Sequence, residues 1–274
     1  MTLMAMLQYG FIQRALVAGA LIAVLCAVLG VFLVLRRLSL IGDGLAHVTF
    51  GSVAVALFAQ VNPLAVTLAA IPLVMLSALG ILKLMERAKI FGDAAVGIVS
   101  SLGIAVGVLL AGLSGGFSVD LFSYLFGNIL SVNQEEVIIA ALLFVIIMAA
   151  ISLYYHELLA VTFDEELART SGVRAGRVNL VLVLLTSLIV VLAMKVAGIM
   201  LVSSLIVLPA VTALQVATGF RTALVLAAVA ALFSVLAGII TSFALDLPAG
   251  ATIILLNFAL FLAAFAGRKL IRRH

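Results

Sequence analysis

An aspartate and a histidine stand one helical turn apart in a segment of the chain that is otherwise apolar. They are Asp43 and His47, in the run Gly42-Asp43-Gly44-Leu45-Ala46-His47. Residues four apart on an α-helix share a face, so both side chains point the same way. A carboxylate oxygen and an imidazole nitrogen together suit a divalent transition metal. Ionisable groups inside a membrane usually line a pathway, pair with each other or bind an ion. We therefore predict that Asp43 and His47 contact a metal ion that the chain moves.

Composition places this pair in a membrane protein. The chain has 274 residues, of which 66% are hydrophobic and 9% charged, and its mean hydropathy is +1.44. A soluble domain carries about 25% charged residues, whereas a membrane helix needs roughly 20 consecutive apolar ones. We predict an all-α, polytopic integral membrane protein that forms one transmembrane domain over residues 1–274. The net charge of +4 is dispersed among the apolar segments, so no nucleic-acid partner is expected.

The apolar runs predict nine membrane spans, or eight if 199–217 is broken or only partly inserted. They cover residues 11–35, 40–60, 64–84, 93–113, 136–155, 178–198, 199–217, 222–244 and 250–267. One alternate set of connections holds 13 of the 15 Lys and Arg residues. The positive-inside rule places that set in the cytoplasm. The amino terminus is then outside and the carboxyl terminus cytoplasmic, which requires an odd number of spans.

Glycines in the predicted fourth and eighth spans are spaced for helix packing. Gly97, Gly103 and Gly107 lie in the fourth span, and Ala237-Gly238 in the eighth. Small residues let membrane helices approach closely. We expect these positions to serve packing rather than function.

The largest polar segment, His156 to Asn179, predicts a short helix within a connecting loop. Thr162 can cap its start, acidic residues follow in its first turn, and Gly172 can close its end. Such a helix can dock a partner, although a solvated interfacial loop is the alternative. The sequence has no Gly-x-x-x-x-Gly-Lys-Ser/Thr motif. If ATP powers this protein, another subunit must bind the ATP.

Five sequence blocks, in order along almost the whole chain, resemble the ABC-type zinc/manganese permease family, the membrane subunits of divalent-metal importers. Any one block is weak evidence, but five in the same order are specific. The blocks are Arg36–His47 with its Gly-Asp-x-x-x-His element, Asp120–Gly127, Phe163–Val173, Ala193–Gly198 continuing into Ser203–Ala210, and Asp246–Gly250.

The resemblance implies a type II ABC importer-like architecture. Two copies of the chain would form the translocation path, together with two cytoplasmic ATPase subunits and an extracytoplasmic metal-binding protein that delivers the ion. The loop helix, within about 156–177, would be the coupling helix that the ATPase grips. Its candidate contact residues are Phe163, Asp164, Glu165, Leu167 and Gly172. No cofactor would be bound permanently, ATP would bind the partner subunit, and the chain would lie in a prokaryotic-type inner or plasma membrane.

The same resemblance implies that the transported ion is Zn²⁺ or Mn²⁺. The Tyr-Leu-Phe-Gly and Ala-Met-Lys stretches look most like zinc permeases, whereas manganese permeases share the aspartate and histidine. Zinc is therefore our prediction and manganese the alternative. Two facing chains would bring two Asp43 and two His47 side chains together, which is enough for a tetrahedral ion. The alternative is that the pair only hydrogen-bonds internally or caps the helix start.

Three further charged residues are weaker candidates on the outer side. Asp120 and Asp246 could attract cations or touch the delivery protein, whereas Lys195 is expected to form a salt bridge or to contact that protein. A secondary metal transporter that needs no ATPase is the main competing function, because intramembrane carboxylates can couple ion gradients. A metal-permeable channel is a further possibility. A metalloprotease is disfavoured, because the sequence has no His-Glu-x-x-His.

Overall fold

Helices account for the regular structure throughout the described part of the chain. The computed structural model describes residues 9–61, 63–113 and 132–271. Within these ranges there are eleven α-helices: α1 (Gly10–Leu35), α2 (Ile41–Phe58), α3 (Pro63–Glu86), α4 (Gly92–Leu113), α5 (Gln134–Leu153), α6 (Tyr155–Phe163), α7 (Glu165–Thr170), α8 (Ala175–Ala197), α9 (Ile199–Val216), α10 (Phe220–Leu245) and α11 (Ala249–Ile271). The predicted all-α class is confirmed.

Eight of the described helices are long and apolar enough to cross a membrane: α1, α2, α3, α4, α5, α8, α10 and α11. The remaining predicted span corresponds to α9, whose described apolar part, Leu201–Val216, is shorter. The boundary between α8 and α9 is the single residue Gly198, at φ 78° and ψ 163°. A positive φ is accessible to glycine at little cost, so this position can end one helix and begin the next.

The helix that carries Asp43 and His47 lies in the interior of the bundle. In α1, α2 and α8, 72% of the most apolar segment is buried, compared with 17% in α5 and α11. Neighbouring helices surround α2 on most sides, so its polar residues Thr49 and Ser52 are buried, whereas Asp43 and His47 are partly exposed.

Glycines bring α2 and α4 into close contact. A Cβ added to Gly103 of α4 would lie 2.7 Å from the Cα of Val48 and 2.9 Å from the carbonyl oxygen of His47. A Cβ on Gly51 would collide with the carbonyl oxygen of Gly103, and Gly107 lies against the ring of Phe50. Residues later in α2 contact residues later in α4, so the two helices run parallel. The packing prediction is confirmed for these glycines of α4.

Other glycines behave less uniformly. Gly238 of α10 packs against Ile253 of α11, as predicted for a small residue at an interface. Gly97 of α4 has no atom within 4 Å of the position that a Cβ would take, so the packing prediction is wrong for this residue within the described structure. The exposed position of Gly97 on α4 explains the difference.

The start of α2 is held by α9. Ile206 lies between two glycines, with its backbone carbonyl against Gly30 of α1 and its side chain against Gly42 of α2. A Cβ on Gly42 would lie 2.6 Å from the Cδ1 atom of Ile206. Gly42, which directly precedes Asp43 in the first turn of α2, is therefore positioned by a tight packing contact.

Segments predicted to share one side of the membrane do lie together at one end of the bundle. The ring of Phe220, at the start of α10, lies 5.1 Å from Phe32 near the end of α1 and 5.9 Å from Phe163 at the end of α6. At the ends of α9 and α11, Arg268 donates a hydrogen bond to Gln215 over 2.6 Å. The basic connections thus have the common location that the charge pattern requires.

Candidate metal centre and coupling helix

Asp43 and His47 form a partly exposed pair on α2. The Nε2 atom of His47 lies 3.6 Å from the Oδ2 atom of Asp43. The His47 side chain is 31% exposed and that of Asp43 is 45% exposed, although their neighbours Gly42, Gly44 and Ala46 are buried. The two groups are close enough to share one ion, and each retains an open side for it.

The turn between α1 and α2 is built from backbone hydrogen bonds. The amide of Leu38 donates to Leu33 over 2.8 Å, and the amide of Ile41 donates to Leu38 over 3.0 Å. Asp43 lies in the first turn of α2, but Leu40 occupies the cap position and no side-chain hydrogen bond caps this helix. The structure therefore gives no support to a capping role for Asp43, so its carboxylate is available for other partners.

One chain offers a metal only part of a coordination shell. Among the described residues, no group of three or more His, Cys, Asp and Glu side chains is arranged to hold a metal ion. An open groove of about 410 Å³ begins one residue beyond His47, between α2, α3 and α4, and its lining is mostly apolar. The Ser52 hydroxyl in this groove donates to the Val48 carbonyl over 2.9 Å. The described His, Cys, Asp and Glu side chains therefore offer an ion the Asp43–His47 pair but no third ligand beside it.

The predicted loop helix exists as two short helices, α6 and α7. The cap of α7 is Asp164, whose Oδ1 atom accepts a hydrogen bond from the amide of Leu167 over 2.9 Å. The prediction that Thr162 caps this helix is wrong, because Thr162 lies inside α6 and its hydroxyl donates to the Leu158 carbonyl. Gly172, at φ 89°, ends α7 in the left-handed conformation, as predicted.

The α6–α7 junction exposes an apolar and acidic surface. Phe163 is 67% exposed and Leu167 is 63% exposed, while Ala168 is buried against the bundle. Large apolar side chains exposed outside a membrane span indicate an interaction surface when they cluster. The structure thus brings the candidate contact residues Phe163, Asp164 and Leu167 together on one short element.

Asp164→Ala should loosen α7 without unfolding the bundle. Removal of a capping aspartate costs about 0.5–2 kcal/mol, which corresponds to roughly tenfold faster amide exchange across the first turn. Hydrogen exchange of residues 165–170 measures this effect. The matched control is Glu166→Ala, since Glu166 is exposed on the same helix and the cap uses the Asp164 side chain. Equal exchange in the two variants would contradict the capping role.

Glu165 differs from its neighbours because its carboxylate is turned towards the bundle. Its Oε2 atom accepts a hydrogen bond from Arg36 over 3.2 Å, and its Oε1 atom accepts one from Arg169 over 2.6 Å. Burial raises the pKa of the Glu165 carboxyl, but hydrogen bonds from Arg169 and Asn179 lower it. The charges of the two arginines lower it further, so the net pKa lies below the ordinary value of 4.5.

This cluster predicts a specific acid dependence of stability. A carboxyl whose pKa is lowered by folding contributes stability above its unfolded pKa and loses it as the pH falls through the folded pKa. The difference in thermal stability between the wild type and Glu165→Gln should therefore be constant near pH 7 and narrow below about pH 4.5. We expect a difference of about 1 kcal/mol at neutral pH, since one third of the side chain is exposed. A difference that grew on acidification would contradict the assignment.

Of the three outer-side candidates, Asp246 is the one whose side chain falls in the described part of the chain. Asp120 lies outside the described residues. Lys195 lies within α8, but its side chain also falls outside the described part. Asp246 is exposed at the end of α10, at φ 54°, where the backbone is left-handed. Their roles remain predictions from the sequence.

The features above define the class of protein: a multi-pass membrane protein with ionisable residues on an interior helix and a short exposed helix at one end. The chain belongs to the ABC 3 transport family, whose profile matches residues 8–268.

Similar proteins are membrane subunits of metal transport systems. The manganese transport system membrane protein MntC of Halalkalibacterium halodurans is 32% identical over 95% of this chain and 88% of its own length. The high-affinity zinc uptake system membrane protein ZnuB of Haemophilus influenzae is 30% identical over 93% of this chain and 97% of its own length. A solved structure, PsaBC from Streptococcus pneumoniae in complex with Fab, matches with a TM-score of 0.84 and 29% identity, over 95% of this chain and 93% of that one.

Proposed function

We propose that this chain is the permease subunit of an ATP-binding-cassette importer that moves a divalent transition metal, zinc, into the cytoplasm. The observation that carries the proposal is the Asp43–His47 pair, with 3.6 Å between its polar atoms, on the open side of an interior helix. Such a pair is a suitable ligand set for a transition metal, and the membership of the ABC 3 transport family supports a transport role.

The exposure of the pair supports a path shared between two copies of the chain. A charged or strongly polar side chain that faces lipid costs several kcal/mol, so this open face of α2 needs water or protein against it. One chain supplies two ligands, and a second copy related by a two-fold axis supplies the same two again. Two aspartates and two histidines then complete a tetrahedral shell around the transported ion.

The proposed partner proteins are inferred from parts of the chain other than the Asp43–His47 pair. The surface of Phe163, Asp164 and Leu167 is proposed to dock one of two cytoplasmic ATPase subunits, each of which binds and hydrolyses the ATP. An extracytoplasmic metal-binding protein delivers the ion at the opposite end. The clustered basic connections support a cytoplasmic location for this end of the bundle, an outside amino terminus and a cytoplasmic carboxyl terminus.

The choice of zinc over manganese depends on ligand chemistry. Imidazole suits zinc, and a given site binds zinc more tightly than manganese by the usual affinity order. Relatives named for manganese and for zinc transport are similar to this chain to nearly the same degree, 32% and 30%. Manganese is therefore the alternative substrate of the same architecture.

Competitive uptake tests the proposed substrate. Cells without their own zinc and manganese importers would carry this chain together with its ATPase and delivery protein, and radiolabelled metal would be measured inside them. We expect zinc uptake that a hundredfold excess of manganese does not suppress. Manganese uptake that zinc does not suppress would identify manganese as the substrate of the same importer architecture. Equal uptake when the ATPase is omitted would instead support a secondary carrier.

A further inference from the structure

A nearly buried arginine joins the proposed coupling helix to the helix pair that leads into the metal site. The side chain of Arg36, directly after α1, is only 9% exposed. Its Nη2 atom donates to the Oε2 atom of Glu165 on α7 over 3.2 Å and to the Oδ1 atom of Asn179 on α8 over 2.6 Å. A single guanidinium therefore connects three separate parts of the chain.

Both carboxylate oxygens of Glu165 accept hydrogen bonds from residues of the chain. Arg169, which is exposed, holds the other oxygen of Glu165 over 2.6 Å, and the Asn179 amide lies 3.5 Å from the same carboxylate. A buried charge is tolerated when it is paired and hydrogen-bonded, and removal of one partner leaves an uncompensated charge. Since both oxygens of Glu165 are engaged within the chain, this residue is better placed to anchor α7 than to reach an ATPase.

The connection from Arg36 to Asp43 is short and ordered. The amide of Arg36 donates to Phe32, and that of Arg37 donates to Val34, so the end of α1 is closed by backbone hydrogen bonds. Arg37 has φ 57°, a left-handed conformation that is uncommon for a residue with a side chain. Seven residues beyond Arg36, Asp43 is already in the first turn of α2. A displacement of Arg36 therefore displaces the start of the metal-binding helix.

We propose that the Arg36–Glu165 ion pair is the link through which movement of α7 reaches the α1–α2 turn and repositions Asp43 and His47. Arg36 and Glu165 are positioning residues in this scheme, since neither contacts the ion. The inference rests on the proposed function, because it takes α7 as the element that the ATPase moves.

Uncoupling of ATP hydrolysis from transport is the expected consequence when the link is removed. The test uses the assembled complex of this chain with its ATPase and delivery protein in proteoliposomes, with Zn²⁺ as substrate. In Arg36→Gln and Glu165→Gln we expect ATP turnover to continue and the zinc moved per ATP to fall roughly tenfold, a usual size for a coupling free energy. The double variant should be no worse than either single one, since both remove the same interaction.

Arg37→Gln is the matched control, because it removes the same charge from the adjacent, exposed residue and leaves the Glu165 cluster in place. Its zinc-to-ATP ratio should equal that of the wild type. An unchanged ratio in Arg36→Gln would overturn the proposal. So would loss of the bound ATPase together with uptake, since that result assigns the pair to assembly alone.

A spin label at Leu40→Cys separates this proposal from the proposed function, because its readout does not require transport. Leu40 is 50% exposed in the turn between Arg36 and Asp43, and the native Cys26 is buried. Addition of ATP and vanadate should change the label's mobility in the otherwise wild-type complex, and Arg36→Gln should abolish that change. A change that persists in Arg36→Gln would overturn the link. If the wild type takes up no zinc, the proposed function is wrong. The response of the label to ATP and vanadate still tests the Arg36–Glu165 link in that case.

Discussion

Asp43→Ala and His47→Ala are expected to abolish metal uptake while the permease still assembles with its partners. Under the proposed function, each substitution removes one of the two ligand types of the Asp43–His47 pair. In a symmetric pair of chains each substitution removes two ligands at once. Loss of even an outer-shell partner lowers metal affinity roughly 10–100-fold, so loss of two direct ligands should exceed that effect. Radiolabelled zinc uptake and co-purification of the ATPase measure the two halves of the prediction.

The chain offers a matched control for each of these variants. Asp93 is an exposed aspartate in the first turn of α4, which runs parallel to α2, and His156 is an exposed histidine in α6. Asp93→Ala and His156→Ala change the same side-chain types outside the candidate site, and uptake should be retained in both. Full uptake by Asp43→Ala and His47→Ala would show that the pair is not the metal site.

Gly103→Ala should destabilise the bundle and impair transport together. The added Cβ would lie 2.7 Å from the Cα of Val48 and 2.9 Å from the carbonyl oxygen of His47, which are backbone atoms that cannot rotate away. Overpacking of this kind costs about 1–3 kcal/mol. Because the contact is made at His47 itself, separation of α4 from α2 also displaces the candidate ligand. We expect a lower thermal midpoint and at least a severalfold loss of uptake.

The readout and the control for this prediction are both present in the chain. Cys26 is buried in α1, so its reaction with a thiol-reactive dye on heating reports the opening of the bundle. Gly112 lies on the same helix as Gly103 and has no atom within 4 Å of the position that an added Cβ would take. Gly112→Ala should be neutral or stabilising, by up to about 1 kcal/mol from helix propensity. Equal midpoints for Gly103→Ala and Gly112→Ala would contradict the close-packing account.

Sequence periodicity and charge were sufficient to predict the helices and their arrangement at one end of the bundle. The apolar runs predicted nine spans, or eight if 199–217 is only partly inserted, and the described structure has eight long helices and the shorter apolar Leu201–Val216. The basic connections indicated which helix ends lie together. The same reasoning identified Asp43 and His47 as neighbours, because residues four apart on a helix lie on the same face. Which glycines pack was not predictable in this way, since Gly103 faces α2 whereas an added Cβ on Gly97 would have no atom within 4 Å.

The contacts of α6 and α7 were only partly predictable from local sequence. Thr162 and Asp164 are both good capping residues, and the choice between them depends on where α6 stops. Glu165 looked like a surface acid, because its partners Arg36 and Asn179 are 129 and 14 residues away in sequence.

ATP-dependent accumulation of zinc in proteoliposomes tests the central claim most directly. Purified chain would be reconstituted with its ATPase, with the delivery protein and labelled zinc on the face opposite the ATPase. The account predicts that zinc crosses to the ATPase side only when ATP and all three proteins are present, and that Asp43→Ala prevents this while Asp93→Ala does not. Zinc movement at the same rate without ATP or without the ATPase, or full movement in Asp43→Ala, would contradict it.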